Sequence, residues 1–219
     1  MNDLSEYKDR WFSSHAFSLL SKSKLKLVIL TKPTCFVEED KILAMLFEAG
    51  LEHLHLYKEN TPPVYYERLL SLLPEECHRK IVVHDHFYLK EEYGLGGIHL
   101  DNGEMLPPKD YKGNIGRTSN SLEQLKEYKK NSKYVFLSNA LDGTYTIDEL
   151  KKAANSGLID KKTYATGHIT LDKIKAAKKL GFGGVVVCNE LWNYFDIHKN
   201  DDFKDILEYF EKLKKAING

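Results

Sequence analysis

The chain has 219 residues, of which 42% are hydrophobic and 29% charged, with 32 basic and 32 acidic side chains. This length fits one domain with a sizeable core, and the balanced charge disfavours a nucleic-acid partner or an anionic membrane surface. No apolar run approaches the roughly 20 residues of a membrane span, and the three cysteines are far apart in the sequence. The sequence therefore predicts a soluble cytoplasmic protein without disulfides or a zinc framework.

Residues 1–24 differ from the rest, because aromatic and leucine side chains stand there among Ser, Lys and His. We interpret them as an N-terminal extension that is helical and amphipathic. Two positions remain open for it, a plug at the bottom of the domain or a cover over one helix.

Eight short apolar runs follow, and each precedes a stretch with helix-like spacing of apolar residues. The predicted strands are 25–31, 51–57, 81–85, 97–100, 114–118, 134–138, 163–165 and 183–187. The predicted helices are 37–49, 62–73, 121–130, 147–156, 171–180 and 203–217.

Strands that alternate with helices indicate parallel pairing through right-handed crossovers. An open doubly wound sheet is the competing architecture, but Thr-Lys-Pro-Thr at 31–34 stands where a dinucleotide-binding fold needs a glycine-rich turn. Eight units favour a single (β/α)8 TIM barrel over residues 25–219, with its functional groups at the C-terminal ends of the strands.

Histidines cluster at these predicted strand ends. His84 and Asp85 follow the third strand, while His55 and Tyr57 share one face of the second. Histidine titrates near neutrality and can move protons, so His84 and His55 are the candidate catalytic residues. The alternative is that they are core histidines that hydrogen-bond to neighbours, and this is the preferred interpretation for His99 in the apolar Gly-Ile-His-Leu.

Metal binding and anion binding are further candidate functions. The His-Glu-x-x-His spacing of zinc enzymes is absent, so a cation would be Mg²⁺ held by Asp85, with Glu104 as a second oxygen donor. In barrels the loops after strands seven and eight commonly bind phosphate. Here the loop after strand seven contains Gly167 and His168, and the loop after strand eight contains Asn189. Lys58, after strand two, can add a positive charge.

The sequence resembles the thiamine-phosphate synthase and thiazole tautomerase superfamily over about residues 25–192. The segments that carry the resemblance are Leu-His-Leu-Tyr-Lys at 54–58, His-Asp-His-Phe-Tyr-Leu at 84–89, Gly-Ile-His-Leu at 97–100, Tyr-Val-Phe-Leu-Ser at 134–138 and Gly-Phe-Gly-Gly-Val at 181–185 before Leu-Trp at 191–192. The resemblance implies a (β/α)8 barrel of thiamine biosynthesis. Its synthases join a pyrimidine diphosphate to a thiazole phosphate with magnesium, and its tautomerases aromatise a thiazole carboxyphosphate.

Several family positions differ in this chain. The Gln-x-Arg-x-Lys after strand two appears as His55, Tyr57 and Glu59, which removes the arginine that holds the diphosphate and leaves Lys58 one place early. The loop after strand six lacks the family lysine, and the Asn-Asp of strand three becomes His84-Asp85.

The remaining matches concern substrate contacts. The family's serine and histidine after strand five align with Thr118 and Asn120, so the tautomerase's acid–base histidine is lost. The Gly-Gly pair after strand seven becomes Gly167-His168, and the glycine after strand eight becomes Asn189.

Two functions remain open at this point. The first is a thiamine-biosynthesis enzyme that binds a thiazole phosphate or thiamine phosphate at the barrel mouth. There Asp85 orients magnesium, His55 and His84 transfer protons, and the substrate contacts are Tyr57, Lys58, Thr118, Asn120, Ser138, Gly167, His168 and Asn189. The second is a catalytically degenerate paralogue that binds a related phosphate ligand as a sensor or partner protein. A homo-oligomer is compatible with either.

Overall fold

The computed structural model describes residues 24–102, 105–195 and 203–219. Eight parallel strands form a closed barrel in sequential order, β1 to β8. The strands are β1 Lys26–Leu30, β2 Leu54–Leu56, β3 Ile81–Val83, β4 Gly97–Leu100, β5 Ile115–Ser119, β6 Tyr134–Leu137, β7 Thr163–Ala165 and β8 Gly184–Val187. The predicted (β/α)8 barrel is thereby confirmed. Residues 1–23, nearly all of the predicted extension, lie outside the described residues.

Helices connect the strands around the outside of the barrel. They are α1 Glu39–Glu48, α2 Pro63–Leu72, α3 Glu75–His78, α4 Leu89–Glu92, α5 Leu122–Tyr128, α6 Ile147–Asn155, α7 Leu171–Lys179, α8 Asn189–Trp192 and α9 Lys204–Asn218. The six predicted helices are present, whereas α3, α4 and α8 were not predicted. No helix within the described ranges is both long and apolar enough to cross a membrane.

Sequence explains where several helices begin and end. Thr146 caps α6 through a capping box with Glu149, whose backbone N–H donates to the Thr146 hydroxyl. Gly50 and Gly181, which follow α1 and α7, have φ values of 94° and 80°, a backbone region that favours glycine. Thr170 precedes α7 but makes no side-chain cap hydrogen bond.

Two separate apolar cores follow from the alternation of side chains along each strand. One face packs against the helices, and the other fills the barrel, where Val28, Phe136, Tyr164 and Val186 form a distinct buried cluster. Strand pairing is staggered around the barrel, so inward residues at one height come from alternate strands.

These layers of inward side chains decide where polar groups lie. There are five such layers. From the C-terminal mouth downwards they contain Tyr57, Asp101, Ser138 and Cys188; then Leu30, His84, Thr118 and Thr166; in the middle, His55, His99, Phe136 and Val186; then Val28, Val82, Gly116 and Tyr164; and nearest the opposite end, His53, Gly97, Tyr134 and Gly184. Polar side chains therefore extend from the mouth down into the middle of the barrel.

Candidate active site

Four inward side chains form one continuous hydrogen-bonded chain, which we call the Asp101–Tyr134 chain. Asp101 Oδ1 lies 2.7 Å from His84 Nδ1, and His84 Nε2 lies 2.8 Å from His55 Nδ1. His55 Nε2 then lies 2.9 Å from the Tyr134 hydroxyl. His55 and His84 are both buried, while 37% of the Asp101 side chain is exposed at the mouth. The chain therefore connects a ligand-accessible carboxylate to the interior of the barrel.

The structure brings together the two predicted catalytic histidines and adds two residues that sequence reasoning missed. Asp101 lies two positions after His99, and Tyr134 lies four positions before Ser138, so each pair has its side chains on the same face of its strand. This alternation alone predicts that Asp101 and Tyr134 point into the barrel. Which of the inward groups would touch depends on the stagger of the barrel, which the sequence pattern does not reveal.

Burial determines the charge state of the deepest histidines. It lowers the pKa of His55 well below the ordinary 6.5, and neighbouring His84 lowers this pKa further. Burial likewise lowers the pKa of His99 well below 6.5, with His84 and His55 as smaller causes. Both rings are neutral at neutral pH, and each neutral ring has one N–H donor and one acceptor nitrogen.

His99 lies beside the Asp101–Tyr134 chain but is not part of it. Its Nε2 lies 2.8 Å from the Thr118 hydroxyl, and its buried Nδ1 has no hydrogen-bond partner among the described residues. A Cβ on Gly116 would lie 2.5 Å from that Nδ1 and 2.6 Å from the Tyr134 ring, so the glycine makes room for both rings. This position agrees with the interpretation of His99 as a core histidine. The side chain lies in the interior of the barrel and not between the strands and the helices.

The three histidines lie close enough to be considered as a metal site, because one ring nitrogen from each falls within 4.8 Å of the others. The ring orientations argue against it. His84 and His99 are stacked, with centroids 4.4 Å apart and planes inclined by 19°. Nitrogen lone pairs lie in the ring plane, so those of two nearly parallel rings do not converge on one ion. The cluster suits hydrogen bonding better than metal binding.

Asp85 is the predicted magnesium ligand, and it lies at the mouth. Its half-buried carboxylate has no hydrogen bond or ion pair with another described residue, which leaves its oxygens available to a hard cation. Burial raises the pKa of Tyr57, and the negative charges of Glu59, Asp101 and Asp85 raise it further. Glu104, the second predicted ligand, lies outside the described residues.

Lys58 was predicted to contact phosphate, but its ammonium group lies in a buried ion pair. Only 2% of the side chain is exposed, and Nζ lies 2.5 Å from Glu39 Oε1. Nζ also donates to the carbonyl oxygens of Lys32 and Thr34, at 2.9 and 3.3 Å. Burial raises the pKa of Glu39 despite the lowering effect of Lys58. In this arrangement the charge of Lys58 is directed at the protein itself.

The loop after β7 already binds an anion, the Asp142 carboxylate. The His168 backbone N–H donates to Asp142 Oδ2 at 2.8 Å, and Lys173 forms an ion pair with Oδ1. Gly167 has a φ of 120°, and a Cβ there would lie 2.2 Å from Asp142 Oδ2. Burial alone would raise the pKa of Asp142, but the bonds from Lys173 and His168 lower it overall. The side chain thus occupies the position predicted for phosphate.

The other predicted substrate contacts lie around the same mouth. Thr118 and Ser138 occupy the two uppermost inward layers, and the Tyr57 ring lies 5.7 Å from the His84 ring. Asn120 is exposed after β5, where its carbonyl oxygen accepts a hydrogen bond from Tyr145. Asn189, also exposed, begins α8.

The exposed side chain of His168 is oriented by helix α8, which follows β8. Its Nδ1 lies 2.6 Å from Oε1 of buried Glu190.

A cavity of about 280 Å³ between the start of β1 and α9 lies at the opposite end of the barrel and includes none of the residues of the Asp101–Tyr134 chain.

We expect Asp142 to compete with phosphate for the loop after β7. Replacing Asp142 by Asn removes the resident charge and leaves Lys173 and the His168 N–H available, so inorganic phosphate should bind about tenfold more tightly, an effect of about 1.4 kcal/mol. Isothermal titration of the full chain measures this. Asp148→Asn removes a charge from an exposed ion pair on α6 and is the control. Equal affinities in all three proteins would place phosphate binding elsewhere.

No protein-family model matches the sequence, and no curated protein is significantly similar to it. Solved structures are similar. A thiamine phosphate pyrophosphorylase from Bacteroides thetaiotaomicron is 47% identical, with a TM-score of 0.85, and the match covers 89% of this chain and 98% of that one. A thiamine phosphate pyrophosphorylase from Pyrococcus furiosus is 20% identical, with a TM-score of 0.69 over 90% of this chain and 97% of that one, and it supports the fold alone. The chain belongs to the thiamine phosphate pyrophosphorylase family.

Proposed function

We propose that this protein is an enzyme of thiamine biosynthesis that binds a thiazole phosphate at the barrel mouth and isomerises it by proton transfer. The observation that carries the proposal is the Asp101–Tyr134 chain, which joins a mouth carboxylate to two histidines. Proton transfer needs a positioned acid–base group near the ligand, and such groups contribute about 10²- to 10⁴-fold in rate. The alternative displacement of diphosphate needs several cations.

The chemistry of isomerisation balances within the ligand. A ligand C–H bond breaks as the proton passes to the Asp101–His84 pair, and a proton then returns to another atom of the same ligand. No oxidant or reductant is required. His84 stabilises the Asp101 carboxylate through its Nδ1–H, and His55 holds the other nitrogen of His84.

The pairing of lysines with carboxylates of the protein favours isomerisation over synthase chemistry. Lys58 is paired with Glu39, and Lys173 is paired with Asp142. Asp85 would hold magnesium, which when bound supplies positive charge to the ligand's phosphate or diphosphate. The 47% identical thiamine phosphate pyrophosphorylase keeps synthase activity as the second candidate. We expect such activity in this protein to be weak, since the family's arginine and loop lysine are absent.

Two assays on the purified protein test the proposal. One follows aromatisation of thiazole carboxyphosphate, and the other follows magnesium-dependent formation of thiamine phosphate. We expect the first activity to exceed the second and to fall in His84→Ala and His55→Ala. Robust thiamine-phosphate formation with no isomerisation would support the synthase instead. Ligand binding with neither activity would support the catalytically degenerate sensor or partner protein.

A further inference from the structure

We propose that Tyr134 is a positioning residue, whose hydroxyl fixes the tautomers of His55 and His84 so that the mouth end of the Asp101–Tyr134 chain accepts protons. This inference deepens the proposed function and rests on it for its catalytic consequence. The tautomers themselves are a property of the free protein and are measured without any ligand.

With both rings neutral, donor counting leaves two possible directions for the Asp101–Tyr134 chain; a doubly protonated His84 would leave His55 donating to Tyr134, as in the second direction. In the first, Tyr134 donates to His55 Nε2, His55 Nδ1–H donates to His84 Nε2, and His84 Nδ1–H donates to the Asp101 carboxylate. In the second, every proton is reversed, so a protonated Asp101 donates to His84 Nδ1 and Tyr134 accepts from His55. Each direction satisfies the three observed contacts of 2.7, 2.8 and 2.9 Å.

The Tyr134 end favours the first direction. In the second, the Tyr134 hydroxyl proton would need an acceptor elsewhere, and the hydroxyl has no other hydrogen bond within the described part of the chain. The unpartnered Nδ1 of His99 does not serve as one. Leaving a largely buried donor unsatisfied costs about 1–3 kcal/mol, and this cost falls only on the second direction.

The Asp101 end favours the same direction, because 37% of its side chain is exposed and water stabilises the ionised carboxylate. The two ends therefore agree. Burial, with smaller effects from Tyr164 and Tyr111, strongly raises the pKa of Tyr134, so this hydroxyl keeps its proton. Tyr134 sets the direction of the chain and does not supply protons to it.

Tyr164 provides a matched control for Tyr134. The two rings are stacked with centroids 5.1 Å apart and planes inclined by 11°. Burial raises the pKa of Tyr164 to about 12, yet its hydroxyl makes no hydrogen bond to the Asp101–Tyr134 chain. Tyr134→Phe and Tyr164→Phe each remove one hydroxyl from the same aromatic cluster, but only the first removes the donor to His55.

The test is ¹⁵N NMR of the histidine rings in the full chain at pH 7.5, without ligand. We expect wild type and Tyr164→Phe to show His55 protonated at Nδ1 and His84 protonated at Nδ1. In Tyr134→Phe we expect a mixture of tautomers at both residues. Wild-type protein with His55 protonated at Nε2 would overturn the proposal, whether or not the variant folds. Unchanged tautomers in Tyr134→Phe would overturn it as well.

Activity supplies the second readout. We expect Tyr134→Phe to lower the kcat of isomerisation in proportion to the fraction of molecules in the wrong tautomers, about twofold for an even mixture, with KM unchanged, because a general base held in the wrong tautomer loses up to about 10⁴-fold in the Ser-His-Asp triad. Tyr164→Phe should retain the wild-type kcat. If the tautomers change as expected but no isomerisation occurs in any protein, the proposed function fails and the positioning role stands.

Discussion

Replacing Lys58 by Met is expected to lower the free energy of unfolding by about 3–5 kcal/mol, because it leaves the Glu39 carboxylate buried without its partner. The two carbonyl oxygens that accept from Lys58 Nζ lose a donor at the same time. Urea denaturation of the purified variant measures the loss. The ion pair joins the start of α1 to the loop after β2, and the bonds to Lys32 and Thr34 join that loop to the loop after β1.

The double variant Lys58→Met/Glu39→Leu is the control. Two apolar side chains of similar size should recover most of the lost stability, since a buried pair is often replaceable as a unit. A loss below about 1 kcal/mol in the single variant would show that Lys58 is not held by Glu39 in solution. Lys58 would then be free to contact phosphate, as the sequence predicts.

Acidification below pH 6.5 is expected to destabilise the protein steeply through His55 and His99. Both pKa values are lowered in the folded state, so below pH 6.5 the unfolded chain binds protons that the folded barrel does not. Stability is fully present above pH 6.5 and falls as the pH drops, by up to about 1.4 kcal/mol per pH unit for each histidine. Urea denaturation at several pH values between 5 and 6.5 measures the slope.

His99→Gln isolates one of the two histidines. The amide can bond the Thr118 hydroxyl but does not titrate, so the slope of stability against pH should decrease by up to about 1.4 kcal/mol per unit relative to wild type, most at the acidic end of the range. Glu39, with its raised pKa, acts in the opposite direction in both proteins, and the comparison removes its contribution. Identical slopes would mean that His99 takes up a proton in the folded barrel.

The sequence predicts the fold well because each strand and each long helix carries its own pattern. Even the short strand β7 was predicted with its observed bounds, Thr163–Ala165. The helices that were not predicted, α3, α4 and α8, have four residues each, too few for a three- and four-residue periodicity to appear.

The candidate site could be predicted only in part. Strand ends indicate that His84 and His55 face the mouth or the interior, but the hydrogen bond between them depends on the stagger of β2 against β3. The partners of charged side chains were equally inaccessible. Glu39 reaches Lys58 across 19 positions, and the N–H of His168 reaches Asp142 across 26, through loop conformations that have no periodic signal.

The most direct test of proton transfer at the mouth is the isomerisation rate of Asp101→Asn compared with wild type, measured with thiazole carboxyphosphate at saturation. Asn keeps the size of the side chain but does not take up the ligand's proton. We predict a kcat lower by about 10²- to 10⁴-fold, with ligand affinity nearly unchanged. An Asp101→Asn protein that isomerises the ligand at the wild-type rate would contradict the account.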